Sequence, residues 1–357
     1  MTREDSRLFV PRRGQPSPRR SPGIALAVVG WLAALWASAP VAAAASFQFD
    51  RIRGEEDWVA TGEANVLAAI PSYRAIPLGE RHWLSLGGEW RLAFELNRNE
   101  GWGEVPGTDA MALERVMAHA AWTYLPKSGV LDRVRIFAQL KHGETEGRAA
   151  EDRVSDVDLL DWNAGFLELR SRPFAAGQVT LRLGRQELHY GEGRLIATRA
   201  GATNTRISFD AALLRFASSR VEVDVFYAFP NETDPGTFDN GRLDNRKLRG
   251  LYGTVKTGFG GVDVFGFIDE RPQSYFQSRG LERRRSVGGR WFHDRGRLRQ
   301  DVLFVWQWGN FLADTGESGE IEAWTLSTQT HFRLRDDGWR EAVNLFTGYA
   351  TGDGDAA

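Results

Sequence analysis

Arginine side chains recur through residues 178–216 in a pattern that could bind anions. The segment holds six of them, at positions 182, 185, 194, 199, 206 and 215. A guanidinium binds a carboxylate or phosphate through two parallel hydrogen bonds. Rings of arginine or lysine are also how pores select anions. Anion binding is therefore the chemistry that these residues could perform, if the fold brings several of them to one surface.

The residue types needed for catalysis or metal binding form no comparable group. The chain has no cysteine, which excludes disulfide bonds, cysteine-bound zinc and thiol catalysis. Its six histidines lie far apart, and no two have the i, i+4 spacing of metal ligands. No serine stands beside a histidine as a nucleophile and its base, and Glu187 and Glu192 are interpreted as solvated loop residues. We therefore expect no enzyme, no metal site and no cofactor.

The elements that carry the arginines are predicted to be β-strands. Residues 178–187 alternate apolar and polar side chains, with valine and leucine on one face and Arg182 on the other. This period of two is typical of a strand whose faces meet different environments. A second alternating run covers 206–216, and a glycine-containing loop at 188–205 joins the two runs.

The same alternation recurs along most of the chain. We predict thirteen strands, near residues 82–96, 116–125, 133–141, 161–170, 178–187, 206–216, 221–230, 248–259, 261–270, 283–293, 298–311, 320–334 and 340–350. The connections between them alternate strictly between long and short. Strands of about ten residues, apolar outward and polar inward, with long loops at one end and short turns at the other, are typical of outer-membrane barrels.

The predicted fold is therefore all-β, a transmembrane antiparallel up-and-down β-barrel. We assign the barrel to residues 81–357, after a poorly patterned lead-in at 46–80. Tryptophan, tyrosine and phenylalanine near the strand ends fit the aromatic girdles of such barrels. A soluble β-sandwich is the alternative, but it would not require charged side chains on one face of strand after strand.

The N-terminus has the features of a cleavable signal peptide. Two arginine pairs, Arg12-Arg13 and Arg19-Arg20, precede an apolar run at 24–36, and the alanines at 43–45 form a cleavage site before Ser46. The apolar run is shorter than the roughly 20 residues that a membrane-spanning helix needs. Because Ser-Pro-Gly follows the arginine pair at 19 and 20, the general secretion route is favoured over twin-arginine export. Residues 1–45 are therefore predicted to be removed on export.

The mature chain is acidic. Removal of residues 1–45 takes away six basic and two acidic residues, which changes the net charge from −2 to about −6. An acidic protein has no overall attraction for a polyanion, so any preference for anions must come from locally placed arginines. No basic stripe or recognition motif is present, and nucleic acid is not an expected partner.

The inward face of the predicted barrel carries both signs of charge. Strand parity directs into the lumen the basic residues Arg91, Arg133, Arg135, Arg170, Arg182, Arg284 and Arg290, and the acidic residues Glu89, Glu95, Glu168, Glu222 and Asp224. These arginines could form an anion pathway, in which the carboxylates keep binding weak enough for release. They could equally pair with the carboxylates and only stiffen a water-filled barrel. Residue types alone leave both interpretations open.

Three motifs resemble those of the alginate export family of outer-membrane porins. The most specific is a strand that ends in GRQ at 184–186, followed after a loop by a strand that opens with SFD at 208–210. RVRIFAQL at 133–140 and GYATGDGD at 348–355 are similar to two further family segments. The resemblance covers roughly residues 80–355. It implies an 18-stranded barrel in the outer membrane that passes an anionic exopolysaccharide, such as alginate, through an arginine-lined constriction without a cofactor.

By motif match, Arg185 is the first residue expected to line the pathway, Arg135 the second and Arg91 the third. The complete predicted lining set is Arg91, Arg135, Arg182, Arg185, Glu187 and Arg290. Parity puts Arg185 on the apolar side of its strand. It therefore lies either beyond the bilayer at the strand end or on a bulge at Gly184 that turns it inward.

Thirteen strands are fewer than the family pattern, and single-chain bacterial barrels normally have an even number. We therefore expect the barrel to be incomplete at its C-terminal end. The resemblance further implies a monomer and a periplasmic export scaffold as a partner, besides the polysaccharide and outer-membrane lipid. Two other functions remain open, a general porin for small nutrients and a surface-binding barrel that transports nothing.

Overall fold

The structure is a computed structural model, and it describes residues 50–59, 72–100, 105–148, 153, 155–174, 177–199, 201, 203–275, 278–334 and 342–352. The signal peptide predicted at 1–45 lies outside the described residues, as do two parts of the lead-in, at 46–49 and 60–71. All of the described residues belong to one contact unit, which starts at Phe49.

Among the described residues, fourteen strands form one antiparallel sheet in which each strand pairs with its neighbours in the sequence. The strands are β1 Ile76–Pro77, β2 His82–Glu100, β3 Val105–Tyr124, β4 Arg133–Glu146, β5 Asp158–Phe174, β6 Gly177–Gln186, β7 Phe209–Ser218, β8 Val221–Pro230, β9 Lys247–Thr257, β10 Gly260–Tyr275, β11 Ser278–Arg295, β12 Leu298–Ala313, β13 Ser318–Arg333 and β14 Ala342–Ala350. Within the same described stretches, 3₁₀ turns occur at Arg53–Glu55, Ser72–Arg74 and Gly191–Gly193. Within the described ranges, no helix is long and apolar enough to cross a membrane.

The predicted all-β, antiparallel, up-and-down topology is confirmed. Strands β2 to β14 correspond one to one with the thirteen predicted strands, and the two-residue β1 is an addition. Among the described residues, β1 and β14 lie at the two edges of the sheet and do not pair with each other.

Several strands extend further than the apolar alternation predicts. β3 begins at Val105, so the long connection predicted at 97–115 shrinks to residues 101–104. β10 and β11 extend through most of the loop predicted at 271–282, because opposite charges face each other across the hairpin. There Glu270 lies opposite Arg283, with 3.1 Å between the charged groups, and Arg271 lies opposite Glu282 at 3.3 Å. Ladder hydrogen bonds and ion pairs thus continue the hairpin beyond its apolar part.

The two faces of the sheet differ as a transmembrane barrel requires. On β2 the apolar side chains are exposed, Trp90 by 64%, Phe94 by 78% and Leu96 by 74%. Further exposed aromatic side chains stack on this outer face, as Trp324 does on Tyr349. The other face buries charged and polar side chains, such as Arg135 and Gln139. A sheet with apolar side chains exposed and polar ones buried is built for a lipid environment.

Two parts of the chain that lie outside the strands cover the polar inner face. One is the N-terminal segment at 50–59, which we call the acidic segment. The other is the β6–β7 connection at 187–208, which we call the inward loop. Tyr190 of this loop is buried against the inward rings of Phe226 and Tyr252, at centroid distances of 5.3 and 4.8 Å. The apolar core therefore lies between the inward loop and β7–β12.

Candidate anion pathway

Five arginines converge on the inner faces of β4 to β7, and we call them the arginine cluster. They are Arg133, Arg135, Arg170, Arg182 and Arg215. The first four are buried to 9% exposure or less. The strand register explains their proximity. Arg133 lies opposite Arg170, and Glu168 lies opposite both Arg135 on one side and Arg182 on the other. Alternation along each strand then points every one of these side chains inward.

Buried strand carboxylates orient part of this cluster. Glu168 accepts hydrogen bonds from Nε and Nη2 of Arg182, at 3.0 and 2.6 Å. Asp224 accepts from Nε and Nη2 of Arg215, at 2.7 and 2.8 Å. The Arg215–Asp224 contact is a two-point guanidinium–carboxylate pair, which is the stronger kind and fixes the plane of the guanidinium, whereas both nitrogens of Arg182 bind the same oxygen, Oε2, of Glu168. Each of these arginines still has Nη1 free of its strand carboxylate, and that nitrogen binds the acidic segment.

The acidic segment places two carboxylates in the cluster. Glu55 accepts hydrogen bonds from Nη1 of Arg182 at 2.6 Å and from Nη1 of Arg215 at 2.9 Å. Asp57 forms an ion pair with Arg133 and lies 3.6 Å from Nη1 of Arg170. All of these arginines belong to different strands, β4, β5, β6 and β7. The segment therefore crosses the inner face of four consecutive strands.

A backbone contact completes this arrangement. Nη1 of Arg135 donates to the carbonyl oxygen of Gly54 at 2.7 Å. Its guanidinium also lies 5.1 Å from the ring of Phe137 and 5.8 Å from that of Phe166, within cation–π range. Among the described residues Arg135 makes no ion pair, so a carbonyl is its principal polar partner.

The charge of Glu55 follows from these contacts. Burial alone would raise the pKa of its carboxyl group, but Arg182 and Arg215 hold that pKa well below the ordinary value of 4.5. Glu55 is therefore ionised at neutral pH, and the cluster holds a carboxylate rather than a neutral acid.

Contacts within the acidic segment fix its conformation. Glu56 binds Nη1 of Arg53 at 2.7 Å and Nη1 of Arg74 at 3.2 Å. The indole of Trp58 donates to the same carboxylate at 3.1 Å, and the guanidinium of Arg74 lies 4.4 Å from the Trp58 ring. The residue between Glu55 and Asp57 is therefore held by its own partners, which fixes the backbone from which those two carboxylates reach the arginines.

The inward loop supplies a second set of contacts on the inner face. Glu187 is buried and binds Nε and Nη2 of Arg206 at 2.5 and 3.0 Å, unlike the solvated side chain expected from the sequence. Arg206 also donates to the carbonyl of Arg51, which joins the loop to the acidic segment. Arg91 reaches the loop through the carbonyl of Gly201 at 3.3 Å.

A separate group of charges, which we call the Arg290 network, lies on the inner faces of β10, β11 and β12. Arg290 donates to Asp263 at 2.9 Å and forms an ion pair with Asp301 at 2.5 Å. Asp301 also binds Arg194 of the inward loop, and Asp263 accepts from the hydroxyl of Tyr252 at 2.6 Å. The two carboxylates that bind Arg290 most closely therefore come from the strands themselves, and Glu192 of the inward loop lies 3.6 Å from Arg290.

Arg185 lies apart from both groups. It shares a strand face with Asp210, its register partner, and binds that carboxylate at 2.9 Å. Its Nη1 also approaches the carbonyl oxygens of Trp162 and Asn240, each at 3.4 Å. Trp162 is an exposed outer-face residue, and Gly184 has a positive φ of 125°. Arg185 thus lies at a strand end beneath the β8–β9 loop, the first of the two positions that parity allowed.

Of the six predicted lining residues, the structure brings Arg135 and Arg182 together in the arginine cluster. Arg91, Glu187 and Arg290 lie elsewhere on the inner side, and Arg185 lies on the other face. Sequence reasoning missed Glu55 and Asp57, because residues 46–80 lacked strand periodicity. The run RIRGEED at 51–57, with its alternate arginines and three consecutive acids, was the available signal. Within the described ranges, no group of three or more His, Asp or Glu side chains could hold a metal ion.

Comparison with known proteins assigns the family. A family model described as alginate export matches residues 82–357. The chain belongs to the alginate export family. No match was found among curated proteins. Family membership establishes an outer-membrane channel for a polysaccharide, and it indicates a channel rather than an enzyme.

Solved structures similar to this alginate export family member are outer-membrane proteins of low sequence identity. One is OmpT, an outer membrane protein of Vibrio cholerae in trimer form, with 11% identity, 76% of this chain and 90% of that chain covered, and a TM-score of 0.33. Another is a porin, with 10% identity, 75% and 100% covered, and a TM-score of 0.27. A third is described as a bacterial polysaccharide outer membrane secretin, with 14% identity, 74% and 96% covered, and a TM-score of 0.26.

Proposed function

We propose that the protein passes an acidic polysaccharide across the outer membrane and that the arginine cluster binds the carboxylates of the polymer on its way. One observation carries this proposal. Five arginines from four consecutive strands meet on the inner face, and two carboxylates from outside the sheet bind among them. The cluster is thus already a carboxylate-binding surface in the geometry of this chain.

The chemistry of the cluster suits a polymer that must move. An arginine binds a sugar carboxylate strongly when both are removed from water. A conducting site must also release what it binds. Glu168 and Asp224 serve this second need, since each already occupies one edge of a guanidinium and leaves the other edge for a passing carboxylate. The site is therefore preorganised but only partly available to the polymer.

The other predicted lining residues remain part of the proposal. Arg91 donates to a carbonyl oxygen of the inward loop, so it could extend the pathway beyond the cluster. Arg290, Glu187 and Arg185 are each bound to partners of opposite charge. A monomeric state and a periplasmic export scaffold also remain predictions.

A bilayer experiment tests this proposal. The full-length protein is inserted into planar bilayers, and polygalacturonate is added as the acidic polymer, with dextran of similar length as the neutral one. We expect selectivity for anions and current block by polygalacturonate alone. In Arg135→Gln/Arg182→Gln, the blocking concentration should rise roughly tenfold or more, because hydrogen bonds to charged groups contribute about 1.5–3 kcal/mol each.

Arg283→Gln is the matched control for this double variant. Arg283 is a half-exposed outer-face arginine that binds Glu270 at 3.1 Å, so its removal should leave the block unchanged. Heat-modifiable migration on gels verifies that each variant folds. Cation selectivity together with no response to polygalacturonate would reject the acidic polymer as the substrate.

A general porin is the second proposal, and the Arg290 network favours it. There each arginine and carboxylate named above has a strand or loop partner, which is the arrangement expected when charged side chains only line a water-filled lumen. Swelling of liposomes in neutral sugars, equal for the native chain and Arg135→Gln/Arg182→Gln, would support this function instead.

A further inference from the structure

The acidic segment binds the arginine cluster at two points that resemble each other. Glu55 is held by Arg182 and Arg215, and Asp57 by Arg133 and Arg170. In each case one carboxylate lies between two guanidinium groups from neighbouring strands. The backbone carbonyl of Gly54 accepts a hydrogen bond from Arg135, the remaining arginine of the cluster. The cluster therefore offers two carboxylate pockets, and this chain fills both with its own residues.

The acidic segment makes no ladder hydrogen bonds with the β-sheet. Among the described residues, 50–59 pair with no strand, and their turn bonds include Glu55 N–H to Ile52 and Glu56 N–H to Arg53. Contacts with the strands include those to the arginine cluster and Glu89 and that of the Gly54 carbonyl, while Arg206 and His189 of the inward loop bind Arg51 and Val59 is buried. Side-chain contacts, many of them between opposite charges, rather than ladder hydrogen bonds therefore retain the segment, and charge interactions can be exchanged for equivalent ones.

The cluster without the segment would carry a large excess of positive charge. Its five arginines would then face two buried strand carboxylates, Glu168 and Asp224, and two partly exposed ones, Asp132 and Glu222. Buried arginines of like charge destabilise one another unless counter-charges compensate them. An anionic ligand with carboxylates on successive units could provide that compensation as Glu55 and Asp57 do. The two occupants would bind the same nitrogens and could not bind together.

We infer that the acidic segment is an internal mimic of the polymer, which occupies both carboxylate pockets at rest and is displaced when a polyuronate enters. This inference rests on the proposed function and names the substrate class more closely, as a chain with carboxylates on neighbouring sugar units. The predicted cleavage after Ala45 would leave the segment close to the mature N-terminus, tethered on one side only. It could then leave the pockets without unfolding a strand.

A single cysteine in the segment reports on its displacement. Val59 is 5% exposed, the chain has no native cysteine, and Val59→Cys changes no charge. The full-length protein with this substitution is treated with a maleimide-polyethylene glycol, with and without oligogalacturonate. We expect oligogalacturonate to accelerate labelling roughly tenfold, the change that about 1.4 kcal/mol of differential binding produces. Neutral dextran should have no effect.

Val130→Cys provides the control for the reagent. This side chain lies in the β3–β4 turn and is 83% exposed. Its labelling should be fast and the same with every polymer. A change at this position would indicate an effect on the micelle or the reagent rather than on the segment.

Removal of the carboxylates of Glu55 and Asp57 should release the acidic segment, as polymer binding is expected to do. When Glu55→Gln/Asp57→Asn is added to the Val59→Cys chain, the thiol introduced at position 59 should label rapidly without oligogalacturonate, and oligogalacturonate should accelerate it no further. Glu55→Gln/Asp57→Asn should also be blocked by polygalacturonate at a lower concentration, because the competitor is gone. Asp50→Asn/Asp244→Asn removes equal charge from an exposed position of the segment and from an exposed loop, and it should behave as the native chain.

The two possible failures can be told apart. One failure is block by polygalacturonate without any change in the labelling of Val59→Cys, in a chain that retains Glu55 and Asp57. This result would show that the acidic segment stays bound to the arginine cluster when the polymer enters. The proposed function would then stand and this inference would be wrong. Absence of both block and labelling change would reject both. The Val59→Cys measurement needs no substitution in the cluster, so it decides the matter even if Glu55→Gln/Asp57→Asn does not fold.

Discussion

The arginine cluster and the Arg290 network differ in the origin of their carboxylates. In the Arg290 network, Asp263 lies directly opposite Arg290 in the β10–β11 ladder, and Asp301 lies on the adjacent strand β12. In the arginine cluster, Glu55 and Asp57 come from a segment that pairs with no described strand. Both groups are buried, and both match arginines with carboxylates. Glu55 and Asp57 can therefore leave while the sheet stays intact, whereas Asp263 and Asp301 cannot.

This difference separates structural from exchangeable ion pairs. The strand register fixes the distance between Asp263 and Arg290, so their contact persists as long as the hairpin does. Glu55 reaches Arg182 and Arg215 through side chains alone. Equal burial therefore does not mean equal function, and the connectivity of the partners decides which arginines can serve a ligand.

Stability should show the largest difference between the two groups. Arg290→Gln leaves Asp263 and Asp301 buried without their main cation, and removing one partner of a buried pair costs about 3–5 kcal/mol. Glu55→Gln leaves Arg182 and Arg215 bound to Glu168 and Asp224, so we expect a smaller loss of about 1.5–3 kcal/mol, the contribution of hydrogen bonds to charged groups. Urea unfolding followed by tryptophan fluorescence measures both. Equal losses would mean that the acidic segment is as integral to the fold as a strand pair.

High salt should weaken the docking of the acidic segment on the arginine cluster and leave the Arg290 network unchanged. The Debye length falls from about 10 Å at 0.1 M to about 3 Å at 1 M, which weakens contacts that rest on charge alone. Labelling of Val59→Cys should therefore accelerate severalfold in 1 M salt. Leu303→Cys, at a 3% exposed position opposite Arg290, should stay protected. Salt-independent labelling of Val59→Cys would contradict retention of the segment by charge.

Acid should release the segment only at low pH. The arginines lower the pKa of Glu55, so its ionised form stabilises docking fully above the ordinary value of 4.5, and this contribution is lost as pH falls through the lowered value. A fluorophore on Asp50→Cys should therefore keep its anisotropy from pH 8 to pH 5 and lose it below pH 4.5.

His189 is one of several further titratable groups near this segment, with Asp57, Glu89 and His119. Its ring lies 3.3 Å from Arg51, and burial, followed by that arginine, lowers its pKa below 6.5. Adding Glu55→Gln to the labelled chain removes one carboxylate and retains all of these groups. We expect the acid step to disappear in this variant, and its persistence would assign the step to one of them instead of Glu55.

The fold was predictable because alternation is a local property of the sequence. Each strand from β2 to β14 shows apolar side chains at every second position over much of its length, and the lipid on one side enforces that pattern. The ends of the strands were less predictable. At the β10–β11 hairpin the pairing of Glu270 with Arg283 extends the ladder, and no apolar alternation marks such residues. Hydrophobic periodicity therefore marks the part of each strand that faces lipid, and not the full length of the strand.

The site was only half predictable for a related reason. Parity correctly placed Arg135 and Arg182 on the inner face, because parity depends on neighbouring residues alone. No such rule could show that Glu55 binds Arg182 and Arg215, which follow it by 127 and 160 positions. That contact depends on how a segment without periodicity docks in three dimensions. The acids at 55–57 were visible in the sequence, but their partners were not.

Substitution of Arg185 should have the smallest effect on polymer block. It distinguishes the position predicted from strand parity from the role implied by the family resemblance. The GRQ motif made it the first predicted lining residue, whereas parity placed it on the apolar side. In the structure it binds Asp210 and the carbonyl of Asn240 in the β8–β9 loop, away from the arginine cluster. Arg185→Gln should therefore change the concentration of polygalacturonate that blocks the channel by less than about twofold, within the range of a surface ion pair. Arg182→Gln in the same bilayers is the comparison, since Arg182 faces the cluster. An equal change in both variants would place Arg185 on the polymer pathway and would mean that the β8–β9 loop, through Asn240, carries the pathway past this strand end.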